Sequence, residues 1–337
     1  MRKSVKRWLW DAPRWRGMTA VFAFALAALL SPAAAQDYPV RPITIVVPFV
    51  PGGSTEILAR ILAQHLETRL GKPVIVENRP GAGTVIGSNH VAKSAPDGYT
   101  LLQATSTPMA INVSVHKALP YDPAADLVPL AMVAQSPFIL LVSPDFPAKS
   151  VKELVAYAKA NPGKISYGSA GPGSPHHLFG ELFASMTGAK LTHVPYKGSL
   201  PALNDVVGGH IQMMFCDVPP SIGMIQSGKV RALGVSPSKR LDALPDIPTI
   251  DEAGVPGYEA VAWFMVAAPA KTPAPIVQRL HTELKAVLAM PEVKAQLTKL
   301  SLVPMDTPPV ADMQSFVKSE IVRWGKVVEA AGIKGSQ

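Results

Sequence analysis

Two glycine-rich segments of the chain have the composition of an anion-binding loop. The first loop, residues 48–55, reads PFVPGGST and follows an apolar run, and the second loop, residues 168–176, reads GSAGPGSPH. Glycines let a ligand approach the backbone closely, and the free N–H groups at the start of a helix favour a negative charge. One such loop alone is more often only a tight turn. Because two occur at matched places in two similar parts of the chain, we interpret both as ligand loops.

The spacing of the glycines and histidines excludes several kinds of active site. Residues 81–87 read GAGTVIG and place Ile86 where a dinucleotide-binding loop needs glycine, and no phosphate-binding G-x-x-x-x-G-K-[ST] motif occurs. Ser174 lies near His176 and His177, but without the G-x-S-x-G turn of a hydrolase. Neighbouring helical residues point about 100° apart, so these two histidines cannot chelate one metal ion. We therefore expect no cofactor, no metal and no catalytic residue.

Two further reactive groups have plainer interpretations. His177 and Glu181 are one helical turn apart, and we expect a solvated or capping pair there rather than metal ligands. Cys216, the single cysteine among 337 residues, follows an apolar run and is predicted to be a buried, inert thiol. One cysteine also excludes an internal disulfide.

The N-terminus has the pattern of a secretory signal peptide. Residues 1–17 are basic, residues 18–30 are uncharged and apolar, and small residues follow as far as Ala35. Thirteen apolar residues are short for the roughly 20 that span a bilayer, which argues against a membrane anchor. The leader holds six of the basic residues and one acidic residue, so the formal charge falls from +8 to +3 on cleavage. That charge is too small for nucleic-acid binding. We expect a soluble, exported, periplasmic protein.

The rest of the chain alternates between strand-like and helix-like segments. Short apolar, β-branched runs predict strands at 43–49, 74–77, 99–105, 138–143, 164–168, 191–195, 211–215 and 230–235, and one more apolar run follows at 261–268. Amphipathic patterns predict a helix after Ser54 that Gly71 and Pro73 stop, and helices at 85–94 and 151–160. Further helices are predicted from near Pro175, Pro201 and Pro219, and in two C-terminal segments around 276–288 and 313–328. This alternation with short links predicts an α/β fold with parallel strands.

The α/β rhythm restarts after residue 135, which predicts two lobes. We place residues 36–135 and about 240–337 in lobe 1, and about 136–239 in an inserted lobe 2. The chain then crosses between the lobes within 127–142 and within 236–265, where we expect extended strands.

The two glycine-rich loops and the segments around them resemble a known family of proteins. It is similar to the extracytoplasmic solute receptors of the tripartite tricarboxylate transporter type, often called Bug-type receptors. The resemblance covers nearly all of the chain after the leader, in the same order. The matching stretches are YPVRPITIVVPFVPGGSTEILAR (38–60), VENRPGAGTVIGSNHVAKSAPDGYTLL (76–102), SYGSAGPGSPHHLFGELF (166–183), HVPYKGSLPALNDVVGGHIQMMF (193–215) and KVRALGVSPSKRLDALPDIPTIDEAGVPGYE (229–259).

The resemblance implies a two-lobed periplasmic binding protein of the second type. Each lobe would be a central mixed β-sheet flanked by helices, with the ligand cleft between the lobes. In such receptors, one ligand carboxylate is held by the loop after the first strand, partly through ordered waters, and another by the lobe 2 loop at a helix N-terminus. The resemblance further implies a monomer that performs no reaction and delivers its ligand to separate permease subunits in the membrane.

The resemblance also implies which residues line the cleft. Carried over by position, they are Phe49, Pro51, Gly52, Gly53 and Ser54 of the first loop, Thr105 and Ser106 after the third strand, Ser169, Ala170, Gly173, Ser174 and His176 of the second loop, Tyr196 and Lys197 of the VPYKG turn, and Cys216 and Asp217.

Two departures from the family pattern concern acidic residues. The first-loop motif usually ends in Asp, and here Glu56 stands there; an acid in the first helical turn still suits the helix dipole. Many relatives have Asp-Asn where this chain has Cys216 and Asp217. An acid there would pair with the ammonium of an amino-acid ligand, so its loss at 216 argues against such a ligand unless Asp217 substitutes.

The residues leave the ligand and two other functions open. Tricarboxylates, dicarboxylates, aromatic carboxylates, amino acids and nicotinamide-like amides all fit a cleft between two such loops. The alternative functions are an exported α/β hydrolase or lyase, and a ligand sensor that acts on a membrane signalling partner.

Overall fold

The computed structural model describes residues 38–337, in which the β-strands form two separate sheets. Within these residues the strands are β1 (Ile43–Val47), β2 (Val74–Asn78), β3 (Thr100–Thr105), β4 (Leu127–Ser136), β5 (Phe138–Val142), β6 (Ile165–Ser169), β7 (Leu191–Pro195), β8 (Met213–Asp217), β9 (Arg231–Val235), β10 (Ala262–Pro269) and β11 (Val303–Pro304). The six-stranded sheet has the order β11-β4-β10-β3-β1-β2, and the five-stranded sheet has the order β7-β6-β8-β5-β9. The predicted leader lies outside the described residues.

Helices connect these strands. The described α-helices are α1 (Ser54–Leu70), α2 (Val85–Ala92), α3 (Asn112–Val115), α4 (Pro123–Asp126), α5 (Val151–Ala160), α6 (Pro175–Thr187), α7 (Ser199–Val207), α8 (Val218–Gln226), α9 (Ala274–Ala289), α10 (Pro291–Lys299) and α11 (Val310–Ala330). A 3₁₀ turn (Ala82–Thr84) precedes α2, and a π-helical turn (Thr107–Ile111) precedes α3. None of the helices described is both long enough and apolar enough to cross a membrane.

Most predicted elements are present, and the differences have local causes. The helices predicted near Pro201 and Pro219 start earlier, at Ser199 and Val218, because proline fits the first turn of a helix and does not mark its first residue. The short helices between residues 107 and 126, and α10, were not predicted. The segment 108–111 is buried on all sides, so its apolar residues show no helical period.

The first β–α–β unit follows directly from its sequence. The strand β1 is an ITIVV run that pairs in parallel with both β2 and β3, so it is buried on both faces. Helix α1 then packs Leu58, Leu62 and Leu66 inward. It ends at Gly71, whose φ of 67° is the left-handed conformation that glycine adopts without strain.

The carboxyl edges of the two sheets meet at one short crossing. Strands β1, β3 and β4 run in the same direction, and β4 ends at Ser136. Only Pro137 separates it from Phe138, which begins β5 and pairs with Asp217 at the carboxyl end of β8. The loops that follow the parallel strands of both sheets therefore lie on the side of the crossing.

A second crossing runs beside the first. The backbone N–H of Phe138 donates to Ser236 Oγ (3.0 Å), and the N–H of Ser236 donates to the carbonyl of Phe138 (2.8 Å). The Ser236 carbonyl accepts from Ala260 (2.9 Å), two residues before β10 returns to the first sheet. The sheets are thus joined at Pro137 and by residues 236–261, and hydrogen bonds at Ser236 tie the two connections together.

Aromatic side chains fill the space behind the crossings. Phe179 of α6 stacks on Trp324 of α11 with ring centroids 5.6 Å apart, and it also packs edge-on against Phe138 (4.8 Å). One hydrophobic cluster contains Val46 of the first sheet and Phe215 of the second. This shared core explains why residues 41–337 form one compact unit by their contacts.

A buried carboxylate anchors this aromatic region. Glu320 Oε2 accepts hydrogen bonds from the indole N–H groups of both Trp263 (2.8 Å) and Trp324 (2.9 Å), while Arg323 donates to its Oε1 (3.2 Å). Both indoles are fully buried, so they have no access to water as an alternative acceptor.

We expect Glu320→Ala to lower the free energy of unfolding by about 3 kcal/mol, because it leaves two buried indole N–H groups without an acceptor. Urea denaturation followed by circular dichroism measures the effect. Glu329→Ala is the matched control on the same helix, because Glu329 is exposed and its ion pair within residues 38–337 is with Lys334; it should cost less than about 0.5 kcal/mol. Equal losses in the two variants would contradict the assignment.

Candidate functional site

The first loop leaves β1 and is exposed at the edge of the first sheet. Pro51, Gly52, Gly53 and Ser54 are exposed, and Phe49 is half-buried. The φ of Gly52 is 95°, a backbone conformation that residues with a Cβ rarely adopt. The following helix starts with free backbone N–H groups, since Gly53 caps it without a side chain.

One N–H group of the first loop is already bound. The N–H of Gly52 donates to Glu56 Oε2 (2.5 Å), and Arg60 donates to Glu56 Oε1 (2.8 Å from Nε). The Gly52 hydrogen bond and then the Arg60 guanidinium hold the pKa of Glu56 below its usual value, against a smaller effect of burial. Glu56 thus does more than suit the helix dipole: its carboxylate fixes the shape of the loop.

The end of β3 lies beside the first loop, because β3 and β1 are parallel neighbours. Thr105 and Ser106 are both buried there, and Thr105 Oγ1 accepts from the N–H of Thr107 (3.3 Å). The structure therefore places these two hydroxyl groups under the edge of the sheet.

The second loop is held together by its own serines. Ser169 Oγ accepts from the N–H of Gly171 (3.0 Å), and Ser174 Oγ donates to the Gly171 carbonyl (2.6 Å). Ser174 also caps α6 by accepting from the N–H of His177 (3.4 Å). Ala170 is half-buried. The loop is thus a rigid turn at a helix N-terminus.

A stacked pair of histidines supports this loop from behind. The rings of His177 and His193 lie 3.7 Å apart at 11°, and His193 Nε2 is 2.6 Å from Ser169 Oγ. His177 Nδ1 accepts from the N–H of Gly173 (3.1 Å). Burial, helped by the neighbouring His193, lowers the pKa of His177 to about 3, and burial lowers that of His193 to about 4. Both rings are therefore neutral near pH 7.

The expectation for His177 and Glu181 needs correction. His177 is buried rather than solvated, and its Nε2 lies 3.7 Å from Glu181 Oε1, too far for a good hydrogen bond. Glu181 instead accepts a hydrogen bond from the hydroxyl of Tyr167, and burial raises the pKa of this carboxyl. Each side chain of the pair thus has a nearer partner: the Tyr167 hydroxyl for Glu181 and the N–H of Gly173 for His177.

A second histidine contact joins two strand ends of the second sheet. His176 Nε2 lies 2.9 Å from Asp217 Oδ2, and Ser199 forms a further hydrogen bond to Asp217. Burial alone would raise the pKa of Asp217, but the charge and hydrogen bond of His176 and the bond from Ser199 lower it overall. The other ring nitrogen, His176 Nδ1, is buried and has no hydrogen-bond partner among the residues described.

The remaining predicted residues differ in how far they reach the surface. The Tyr196 hydroxyl donates to Asp205 Oδ2 (2.6 Å) rather than pointing to solvent; burial and then this carboxylate raise its pKa to about 12. Lys197 is exposed. Cys216 is completely buried, and burial raises the pKa of its thiol, which confirms the inert thiol but leaves no surface for a ligand contact in this conformation.

The structure brings the second loop close to the first part of the chain. A Cβ atom at Gly173 would lie only 3.2 Å from Cγ1 of Val115, so this glycine permits a close approach between α3 and the loop. Val115, His193 and Ser199 were not predicted. Tyr167 and His193 are register partners on β6 and β7, and the sequence does not reveal strand register.

Two other features of the described residues lie apart from the loops. A surface cavity of about 300 Å³ is lined by residues such as Lys285 and Asp306. Another, of about 400 Å³, is lined by residues such as Ile225 and Arg231, and none of these four was predicted to bind ligand. Within residues 38–337, no three His, Cys, Asp or Glu side chains cluster as a metal site would require.

Two mixed sheets flanked by helices, each with a glycine-rich loop at its carboxyl edge, match the fold of the two-lobed periplasmic binding proteins. The chain belongs to the tripartite tricarboxylate transporter family of receptors, whose family model matches residues 58–333. The family consists of receptors and not of enzymes, so the hydrolase or lyase alternative is not supported.

Individual relatives agree with this assignment. Protein BugT of Bordetella pertussis is 40% identical over 311 residues, which cover 92% of this chain and 95% of the relative. A solved R. palustris structure, Rpa4515 with adipate, is 40% identical and covers 88% of this chain and 99% of its own, with a TM-score of 0.79. MatC from Rhodopseudomonas palustris with bound malate is 33% identical and covers 86% of this chain and all of its own, with a TM-score of 0.75.

The histidine pair predicts a specific pH dependence of stability. A histidine whose pKa is lowered on folding binds fewer protons in the folded state, so the free energy of unfolding falls as pH drops from about 6.5 towards 4. We expect a loss of about 1 kcal/mol per pH unit for each of His177 and His193 in that window.

The double variant His177→Asn with His193→Gln should flatten this pH profile, since each amide keeps an acceptor near the original ring nitrogen but does not titrate in this range. Urea denaturation at pH 7, 6, 5 and 4.5 measures it. His210→Gln, which replaces an exposed histidine, should keep the wild-type slope. An unchanged slope in the double variant would show that other groups cause the acid sensitivity.

Proposed function

We propose that this receptor captures a small carboxylate between the first and second loops and delivers it to membrane subunits of a tripartite transporter. The observation that carries the proposal is the placement of two loops, each at the N-terminus of a helix, at the carboxyl edges of two sheets that are joined through Pro137. Helix N-termini of this kind bind anions through free N–H groups. Two structures similar to this chain hold the dicarboxylates adipate and malate.

The ligand contacts belong to the same proposal. We assign one carboxylate to the first loop with Thr105 and Ser106 beside it, and the other to the second loop with Lys197 nearby. The full proposed set is Phe49, Pro51, Gly52, Gly53, Ser54, Thr105, Ser106, Ser169, Ala170, Gly173, Ser174, His176, Tyr196, Lys197, Cys216 and Asp217, with Gly52, Tyr196 and Cys216 acting through the backbone or through packing.

His176 provides the most specific contact in this set. Asp217 holds its Nε2, which orients the ring and leaves Nδ1 as the nitrogen without a partner among the described residues. A buried nitrogen of this kind is costly unless a ligand satisfies it. Because this nitrogen is closed off from solvent in the present conformation, as Cys216 is, we assign it to a ligand contact that forms only when the loops move.

Binding to both loops at once drives closure of the lobes. The two moving parts are lobe 1, residues 36–135 and about 240–337, and lobe 2, about residues 136–239. The crossings at Pro137 and between residues 236 and 261 act as the hinge. A ligand that contacts both lobes favours the closed state because only differential affinity shifts such an equilibrium.

We also propose a location and an assembly, which the family and the leader pattern support. The basic and apolar N-terminus, residues 1–35, directs export and is cleaved, and the mature receptor works in the periplasm as a monomer. Its macromolecular partner is a set of permease subunits, and no nucleic acid is involved.

Calorimetric titration of ligand-stripped mature protein with a series of di- and tricarboxylates tests the proposal. At least one of these acids should bind, and its turnover should be undetectable by NMR of the recovered ligand. Absence of binding for the whole series would refute carboxylate capture.

Ser174→Ala sharpens that test, because Ser174 caps the helix and closes the second loop. We expect about a tenfold weaker Kd for the best acid. Ser150→Ala is the matched control: Ser150 caps α5 by accepting from the N–H of Glu153 (3.2 Å), and α5 carries no predicted ligand residue. Both variants should lose about 1 kcal/mol of stability, and only Ser174→Ala should lose affinity.

A further inference from the structure

The second loop rests on one side chain from the part of the chain that precedes the first crossing. The three atoms nearest to the place of a Cβ at Gly173 are Cγ1, Cγ2 and Cβ of Val115, at 3.2, 3.4 and 3.7 Å. Val115 is the last residue of α3 and is 1% exposed. Its side chain is therefore closed off from a ligand and can act on one only through the position of the loop.

Hydrogen bonds at both ends hold α3 in place. Asn112, its first residue, donates from Nδ2 to the Gly83 carbonyl (2.9 Å) and to Thr84 Oγ1 (3.2 Å), in the turn before α2. At the other end, the carbonyl of Val115 accepts from the N–H of Gln337 (3.1 Å). Because this short helix is tied at both ends, the size of the Val115 side chain decides how near the second loop can lie.

The segment that ends at Val115 begins at the other predicted ligand contact. Thr105 is the last residue of β3, and Ser106 leads directly into the π-helical turn and then into α3. Val115 follows Ser106 by nine positions. Because a helical stretch has a fixed rise per residue, this segment holds the two hydroxyl groups at a set distance from the support of the second loop.

We propose that Val115 is a positioning residue that sets the length of the carboxylate this receptor prefers, because its side chain limits how closely the second loop approaches the end of β3. The proposal rests on the carboxylate-binding function proposed above and deepens it. A ligand held at both ends has to match the distance between its two sites, and close-packed side chains stop the approach where they meet. A smaller side chain at position 115 thus favours shorter acids, and a larger one favours longer acids.

A series of unbranched dicarboxylates measures this length preference. Succinate, glutarate, adipate and pimelate differ only in the number of methylene groups between their carboxylates. Calorimetric titration of the ligand-stripped mature protein gives a Kd for each acid, and the readout is the ratio of Kd values between neighbours in the series. A general disturbance of the second loop weakens all of the acids together and leaves these ratios unchanged, so the ratios report the spacing itself.

Two substitutions of opposite size test the role of Val115. Val115→Ala should shift the ratios in favour of shorter acids by about tenfold, since one methylene in a fitted site is worth about that factor. Val115→Ile should shift them in favour of longer acids. Unchanged ratios in both variants, or shifts in the same direction, would overturn the proposal. If circular dichroism shows that Val115→Ile does not fold, the ratios of Val115→Ala alone decide.

Two further variants separate size from other effects. Val115→Thr keeps the branched shape and changes the polarity, so it should keep the wild-type ratios; a shift there would show that polarity acts instead, and would also overturn the proposal. Val113→Ala is the matched control, because Val113 lies on the same helix and is 38% exposed. It should change neither affinity nor ratio.

The failure of this proposal and that of the proposed function give different results. If the wild-type protein binds none of the acids, carboxylate capture fails and the role of Val115 fails with it. If the acids bind and the length preference of Val115→Ala equals that of the wild type, only the role of Val115 is refuted.

Discussion

The antiparallel pairing of β5 with β8 is the constraint on which the rest of the structure depends. It places Phe138, one residue after the first sheet ends, opposite Asp217 at the carboxyl end of a parallel strand of the second sheet. Because parallel strands present their following loops at one edge, this single register directs the loops of both sheets towards the crossing. A shift by one residue would turn the buried side chains of β5 to the opposite face and break the packing of Phe138 on Phe179.

The electrostatics of the loops follow from the same geometry. Helix N-termini attract negative charge, and in this chain two acidic side chains lie at such termini. Glu56 lies within the first turn of α1, and Asp217 lies beside the start of α6. Each acid contacts a side chain nearby, Arg60 for Glu56 and His176 for Asp217. The second loop obtains its rigidity from neutral groups instead, since burial keeps His177 and His193 uncharged where they support Gly173 and Ser169. The acids Glu56 and Asp217 thus supply negative charge near the loops, while the neutral rings of His177 and His193 support the second loop.

The sequence predicted the elements and loops better than the contacts between them. Apolar β-branched runs and glycine-rich junctions are local signals, so β1, α1, Gly71 and both loops were placed within a few residues of their observed positions. The partners of those loops are distant in sequence. His193 reaches Ser169 only through the parallel register of β6 and β7, and Val115 reaches Gly173 only because α3 approaches the second sheet. The His177 and Glu181 pair failed for the same reason, because helical spacing shows which side chains are neighbours but not which of them the core encloses.

The shared hydrogen bonds of Glu320 have an optical consequence. Three of the five tryptophans precede residue 16, within the predicted leader, so Trp263 and Trp324 would be the emitting indoles of the exported chain. Both indoles donate to the Glu320 carboxylate. Of the two, Trp324 stacks on Phe179, which belongs to α6, the helix that begins at the second loop. A movement of α6 against α11 would therefore change the surroundings of Trp324 more directly than those of Trp263. The tryptophan emission of the exported chain would report such a movement without an attached dye.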